Sequence, residues 1–202
     1  MTTPKLKKMI NIIAHHFNRQ NIPFAAIGAI ALGLYGLPRY TADIDLLARE
    51  KHRSEILRIL EKLGFSCFNK NNLFAQFDSE MGVFGHIDLM FASTPEGDEI
   101  LNNSIIIADE IMGDCPVIQP EDYIVLKLMA IANNPERKPG DEADIISLVK
   151  CCGAGKIHKN FNPLNQKKIF HFAERFKQKD RIKEIFDNSF FIKPVKSGKF
   201  FL

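Results

Sequence analysis

Two aspartates separated by one apolar residue, Asp43-Ile44-Asp45, and followed by Leu46, come after the tripeptide Ile27-Gly28-Ala29 with thirteen residues between. In an extended strand, residues two apart point the same way, so Asp43 and Asp45 project together while Ile44 and Leu46 enter the core. Two carboxylates side by side repel, and a hard divalent cation with oxygen ligands, Mg²⁺ or Mn²⁺, relieves that repulsion. Gly28 closes a short apolar run and opens a small-residue segment, which lets backbone N–H groups approach an anion at a helix N-terminus. A third carboxylate is then expected on a neighbouring strand. Asp88 is the only carboxylate among residues 84–91, and a lone Asp in an apolar strand is costly unless it is paired or metal-bound. These parts compose a metal–triphosphate site, in which cations held by carboxylates orient an attacking hydroxyl and stabilise a departing pyrophosphate.

Plainer roles compete at each position. Asp43 and Asp45 could be surface carboxylates of an edge strand, and Asp88 a hydrogen-bonded structural Asp. His86 falls on the same strand face as Asp88 and suits either a structural role or contact with substrate or acceptor. On the loop before the Asp pair, Arg39 could meet a phosphate and Thr41 could fix the loop by a local hydrogen bond.

The elements that must position these groups follow from periodicity. Leu6, Ile10, Ile13 and Phe17 mark an amphipathic helix over about 5–19, broken at Asn21-Ile22-Pro23. A short buried strand is expected over 24–27, a small-residue helix over 29–35, and a strand over 43–46. A helix over about 52–63 carries Ile56, Leu57, Leu60 and Leu63, and stops at Gly64. Strands over 65–68 and 73–77 flank an Asn-rich turn, a strong strand covers 84–91, and short β segments are expected at 105–107 and 116–118. From Pro120 the pattern is helical, with Ile124, Val125, Leu128, Ile131 and Ala132 on one face. A polar loop over 133–140 leads to a helix through Ile145, Ile146 and Val149, and Gly153 and Gly155 mark a boundary. The basic remainder is expected to be helical to about Lys193.

Of the chain's 202 residues, 46% are apolar and 25% charged, which excludes disorder as the main state. The longest apolar stretch, residues 24–37, is interrupted by Gly28, Gly33 and Gly36 and falls short of the roughly 20 residues a membrane-spanning helix needs. The basic N-terminal segment reads as an amphipathic helix, not a secretion signal. The net charge of +3 divides unevenly: residues 1–149 hold 14 Lys/Arg against 20 Asp/Glu, and residues 150–202 hold 13 against 4. An acidic body with a basic tail suits carboxylate-bound metal together with a phosphate-binding surface, while on charge alone a solvated helical face is the preferred account of the tail. In the tail, Ile169, Phe172, Ala173 and Phe176 recur at helical spacing, so core packing is preferred for the rings over base stacking. The lysines there remain available to phosphate. The segments Phe190-Phe191 and Phe200-Phe201-Leu202 could cover a groove or serve a partner. The four cysteines, Cys67, Cys115, Cys151 and Cys152, form neither a disulfide framework nor a zinc pattern, and reduced thiols in a cytoplasmic protein are expected.

The string from Ile27 to Leu47, with Gly28-Ala29, Ala31-Leu32, Tyr35-Gly36, Arg39, Thr41 and Asp43-Ile44-Asp45, resembles the signature of the DNA polymerase β-like nucleotidyltransferase superfamily. More narrowly it resembles the abortive-infection toxin nucleotidyltransferases of bacterial type IV toxin–antitoxin systems. That branch's later motif, a helix lysine followed by an Arg/Lys–Asp–x–x–Asp stretch, is similar to Lys127, then Lys138, Asp141 and Asp144. The resemblance spans about residues 24–150. It departs at Ala29, where Gly or Ser is usual, and at Pro139-Gly140, where Arg directly precedes the first Asp.

The resemblance implies that Asp43, Asp45 and Asp88 are catalytic and bind Mg²⁺ or Mn²⁺. Gly28 and Ala29 would line the triphosphate loop, Arg39 and Thr41 would assist nucleotide binding, and Lys127 would contact phosphates. Lys138, Asp141 and Asp144 would support that motif. The expected fold is α+β: a small mixed β-sheet flanked by helices over 1–118, then a helical C-terminal region over 119–202 carrying the basic tail. The implied reaction moves a nucleoside monophosphate from an NTP to a hydroxyl acceptor, RNA or tRNA in a toxin-type enzyme, with an antitoxin protein as partner and no membrane. A small-molecule, antibiotic-type nucleotidyltransferase and a non-catalytic nucleotide-binding module acting through a protein partner are the alternatives.

Overall fold

The computed structural model describes residues 3–79 and 85–190. The chain divides into two compact units, Met1–Tyr123 with His158–Asn162, and Ile124–Ile157 with Pro163–Leu202. Among the described residues no helix is long and apolar enough to cross a membrane.

The first unit is a seven-stranded mixed sheet with helices. Its elements in chain order are α1 (Pro4–Arg19), β1 (Phe24–Ala26), α2 (Gly28–Tyr35), β2 (Asp43–Arg49), α3 (Arg53–Lys62), β3 (Phe65–Lys70), β4 (Phe74–Ser79), β5 (His86–Ala92), α4 (Pro95–Asn102), β6 (Ile105–Asp109) and β7 (Gly113–Val117). The strand order is β3-β4-β5-β2-β1-β7-β6. β2 runs parallel to β5 and antiparallel to β1, β1 runs parallel to β7, and the hairpins β3–β4 and β6–β7 close the two edges. The expected strands all form; residue 84, placed at the start of the strand expected over 84–91, lies outside the described residues.

Local sequence accounts for these elements. Thr3 caps α1, its hydroxyl accepting from Leu6 N at 3.3 Å with Pro4 in the first turn, and Leu6, Met9, Ile10, Ile13, Ala14 and Phe17 form the buried stripe. β2 alternates at its start, Ile44 and Leu46 buried between the half-buried Asp43 and Asp45, and then continues through Leu47 and Ala48, buried on both faces. Both-sided burial suits a strand near the sheet centre. The apolar α2 is anchored by Tyr35, whose hydroxyl donates to the Ile118 carbonyl at 2.9 Å and whose ring meets Tyr123 and Phe161 edge-on. His158 N donates to the Tyr35 carbonyl at 3.0 Å, which ties residues 158–162 into this unit. Helix α4 is an element the periodicity does not announce: it has only Ile100 and Leu101 buried, and is set by Thr94, which accepts from Gly97 N, followed by Pro95.

Helix α5 (Pro120–Asn133) starts in the first unit and continues into the second, followed by α6 (Lys138–Gly153), α7 (Gln166–Arg175) and α8 (Lys179–Phe190). On α5 the buried side is Tyr123, Ile124, Val125, Leu128 and Ile131; Ala132, expected on that face, is exposed. The expected loop over 133–140 is shorter, because a 3-10 turn over Pro135–Arg137 runs directly into α6 at Lys138. Proline is tolerated in a first helical turn, where its missing N–H has no acceptor to serve. The basic remainder is also less continuous than expected, since no helix covers residues 154–165. In this unit α8 packs on both α6 and α7, burying Ile145, Leu148 and Val149 with Ile169, Ala173, Ile182, Ile185 and Phe186.

Candidate active site

Parallel pairing of β2 and β5 sets Asp43 beside His86 and Asp45 beside Asp88. Because side chains alternate across a strand, all four share one sheet face, with neighbouring strands about 4.8 Å apart. The intervening Ile44, Ile87, Leu46 and Leu89 are buried on the other face. β4 extends the rows: Gln76 stands opposite Asp88 and Asp78 opposite His86. Gln76 Nε2 donates to Asp88 Oδ1 at 3.0 Å, and His86 Nδ1 lies 3.5 Å from Asp78 Oδ1. No local sequence signal marks Gln76 and Asp78; strand pairing alone reveals them.

Gly28 opens α2 against this face. Its φ of +59° favours glycine, and a Cβ added there would lie 2.0 Å from Asp45 Oδ2. Ile27 N donates to the Asp45 carbonyl at 3.0 Å, so the start of α2 and β2 are stitched together at the carboxylate. The cap residue Ile27 is extended and makes no side-chain cap bond, leaving the first-turn N–H groups without an intrahelical acceptor. An anion is the natural complement to such a terminus. Ala29 contributes its backbone to this turn, its side chain being buried.

On the loop before β2, buried Thr41 accepts from Asp43 N at 3.1 Å and donates to the Asp43 carbonyl at 3.2 Å. The hydroxyl therefore fixes the backbone where the first aspartate emerges. Arg39 is exposed.

The second unit brings together Lys127, Asp141 and Asp144. Lys127 Nζ lies 2.6 Å from Asp141 Oδ1 and 2.9 Å from Asp144 Oδ2, the three side chains only 12%, 6% and 16% exposed. The lysine leaves α5 and the carboxylates α6, three residues apart on one helical face. Lys138 does not join them, since its ammonium sits 3.6 Å from Glu142. Arg137 takes the place next to Asp141, Nε to Oδ2 at 3.0 Å. With Arg137 leading directly into the helix, the i,i+4 spacing carries it one turn from Asp141, a cue that a loop assignment over 133–140 conceals.

Helical packing accounts for much of the tail. Phe186 is buried and Phe170, Phe172 and Phe176 are half-buried. Lys179 pairs with Glu174, and Arg181 with both Glu142 and Glu184, so part of the basic charge is already neutralised. Residues 191, 200, 201 and 202 lie outside the described residues. All four cysteines are free thiols, Cys115 and Cys151 buried.

Among the described residues no three His, Cys, Asp or Glu side chains converge as a ready-made metal cage. Mg²⁺ seldom uses one: it keeps several waters and takes one or two carboxylates together with substrate phosphates. The donor set suits that ion. Asp43, Asp45 and Asp88 offer only oxygen, they share one half-buried face, and among the described residues no Lys, Arg or His forms an ion pair with Asp43 or Asp88.

No protein-family profile matches the chain, and no curated protein matches it either. Solved structures do. The antibiotic-resistance factor ANT(2'')-Ia superposes with a TM-score of 0.62 at 17% identity, covering 93% of this chain and 99% of that one. ANT(2'')-Ia in complex with adenylyl-2''-tobramycin gives 0.60 at 15% identity, covering 86% and 98%. An antigenic nucleotidyltransferase-like protein from Paracoccidioides brasiliensis gives 0.55 at 17% identity, covering 93% and 94%. These likenesses establish that the chain has the nucleotidyltransferase fold, α+β with a mixed sheet.

Proposed function

We propose that the chain is a metal-dependent nucleotidyltransferase, moving a nucleoside monophosphate from an NTP to a hydroxyl of an RNA acceptor, tRNA in the toxin-type reading. The observation that carries this is the row Asp45–Asp88 beside Gly28, with Asp43 one position along. It supports a carboxylate pair for a cation next to a glycine turn for a triphosphate.

In this reading the first-turn N–H groups of α2 hold the triphosphate, while Thr41 keeps Asp43 in place and Arg39 adds positive charge on the loop. Asp43, Asp45 and Asp88 would hold Mg²⁺ or Mn²⁺, which supplies charge neutralisation of the phosphates and acidifies the acceptor hydroxyl. Asp88 takes the hydroxyl proton at Oδ2, the oxygen not bonded to Gln76. The acceptor oxygen then bonds to the α-phosphorus as the bond from the α-phosphorus to the bridging oxygen breaks, and pyrophosphate leaves with that electron pair. By the resemblance Lys127 would contact nucleotide phosphates; within the second unit Asp141 and Asp144 hold its ammonium, and Arg137 rather than Lys138 pairs with Asp141. The toxin reading carries with it a cytoplasmic location and an antitoxin partner.

A second reading is a small-molecule acceptor. It draws on the end-to-end likeness to ANT(2'')-Ia, which was solved with an adenylylated antibiotic. Incubation with each α-labelled NTP, Mg²⁺ and either total tRNA or an aminoglycoside separates the two. Label on tRNA, falling steeply as salt rises from 50 to 200 mM, supports the RNA acceptor; label on the aminoglycoside, insensitive to salt, supports the second reading. Label on neither refutes both.

A further inference from the structure

Asp88 is held from one side by a chain of amides. Gln76 Nε2 donates to Asp88 Oδ1 at 3.0 Å, and Asn69 Nδ2 donates to Gln76 Oε1 at 2.7 Å. An ionised carboxylate only accepts, so Gln76 must turn its N–H₂ toward Asp88, and its oxygen then needs a donor on the far side. Asn69 supplies that donor. A reversed amide would set two oxygens against each other at Asp88 and two N–H₂ groups against each other at Asn69.

A backbone irregularity puts Asn69 there. In the β3–β4 ladder Cys67 pairs with Phe77, but the next pair is Asn69 with Gln76, the register shifting between Cys67 and Asn69. Without that bulge Phe68 would face Gln76 and the amide oxygen would meet a ring. With it, Phe68 is the extra residue, left 61% exposed with its ring edge-on to His86 at 6.4 Å. Bulges of this kind re-aim a side chain beside a functional site. Asn69, Gln76, Asp88 and Asp45 then lie in one row across β3, β4, β5 and β2.

We infer that Asn69 and Gln76 are positioning residues for Asp88: they fix its carboxylate with Oδ1 occupied and Oδ2 presented to the cation and the acceptor hydroxyl. This rests on the nucleotidyltransferase reading and adds to it two residues outside the carboxylate set. Both lie on the exposed or half-buried side of the sheet, so their replacement leaves the core intact.

The test is a Mn²⁺ titration of the full chain, following free Mn²⁺ by electron paramagnetic resonance, with melting temperatures as the folding control. The variants are Gln76→Met, of similar length and without a donor, Gln76→Ala, Asn69→Ala and Asn69→Ala/Gln76→Met, with Asp88→Asn as reference. Outer-shell partners of metal ligands are worth about 10–100-fold in affinity. Gln76→Met and Gln76→Ala should therefore weaken Mn²⁺ binding by at least about tenfold, and Asn69→Ala by less. In the Gln76→Met background Asn69→Ala should have no further effect on Mn²⁺ affinity, the coupling expected of two residues that act through one hydrogen-bond chain, whereas a purely structural role would move the melting temperature and leave the affinity unchanged. Wild-type affinity in both Gln76 variants overturns the inference while leaving the nucleotidyltransferase reading standing. So does full additivity of the two substitutions. A wild-type chain that binds no Mn²⁺, either alone or with an NTP present, overturns both.

Discussion

Gly28→Ala probes the junction of helix and carboxylate most sharply. The new Cβ would lie 2.0 Å from Asp45 Oδ2, 2.5 Å from Cγ and 2.8 Å from Cβ, whereas carbon atoms rest at about 3.5–4.0 Å. Rotating the Asp45 side chain cannot relieve this, because its own Cβ is among the atoms struck. The start of α2 or of β2 must shift by about 1 Å, against the Ile27–Asp45 backbone bond that joins them. Alanine in the left-handed region costs about 1–2 kcal/mol, and crowding of this kind about 1–3 kcal/mol more. At about 2–4 °C per kcal/mol for a chain of this size, a melting drop of roughly 5–15 °C is expected. Displacing a reacting group by 1 Å costs about 100-fold in rate, so transfer of α-label should fall by about that factor. Gly33→Ala, in the same helix and with nothing within 4 Å of the added Cβ, should instead raise stability by up to about 1 kcal/mol. Differential scanning calorimetry with the labelling assay reads both quantities. If Gly28→Ala melts with the wild type and retains transfer within a few-fold, the stitched helix–carboxylate geometry is refuted.

Other expectations follow from the same physics. Lys127→Met leaves Asp141 and Asp144 facing each other with their shared cation removed, which should cost about 3–5 kcal/mol by urea denaturation; Arg137→Ala, with its side chain 54% exposed, should cost under about 1 kcal/mol. At Asp109, burial works to raise the carboxyl pKa but is outweighed by the Lys7 bond at 2.6 Å and by the Met112 and Ile111 N–H groups, which together hold it below the usual range. A depressed carboxylate contributes stability above its unfolded value, about 3.9, and loses it as pH falls through the folded value. The stability gap between wild type and Asp109→Asn should therefore be constant from pH 6 to 8 and close below about pH 4. The Cys115 thiol, pushed up to about 12 by burial and then by nearby Asp109, should resist iodoacetamide at pH 8 while half-buried Cys67 and Cys152 are alkylated, as peptide mapping by mass spectrometry will tell.

The Asp pair was legible because alternation along Asp43–Leu46 exposes acidic groups in an apolar run, and Asp88 for the same reason. The sequence implies only that Asp45 and Asp88 stand on neighbouring strands; their register comes from tertiary contacts. Gln76 and Asn69 were invisible, because a one-residue bulge decides which side chain of β3 faces β4, and no local sequence cue marks it. Helix α4 carries no apolar stripe; its signal lies in a cap, Thr94-Pro95. Arg137 is hidden in the sequence because Pro139 and Gly140 read as loop, although both fall in the first turn of α6, where proline is tolerated. In the tail, helical spacing foretold the buried Ile169 and Ala173 but not the break over residues 154–165.

The most direct test of metal-dependent nucleotidyl transfer follows the two ends of the triphosphate. The full chain with Mg²⁺ and acceptor receives the same NTP labelled once at the α-phosphate and once at the γ-phosphate, beside Asp43→Ala/Asp45→Ala. α-Label is expected on the acceptor, γ-label only in pyrophosphate, and neither event in the double variant. Transfer of γ-label to the acceptor, or transfer of α-label that survives loss of both aspartates, would contradict this expectation.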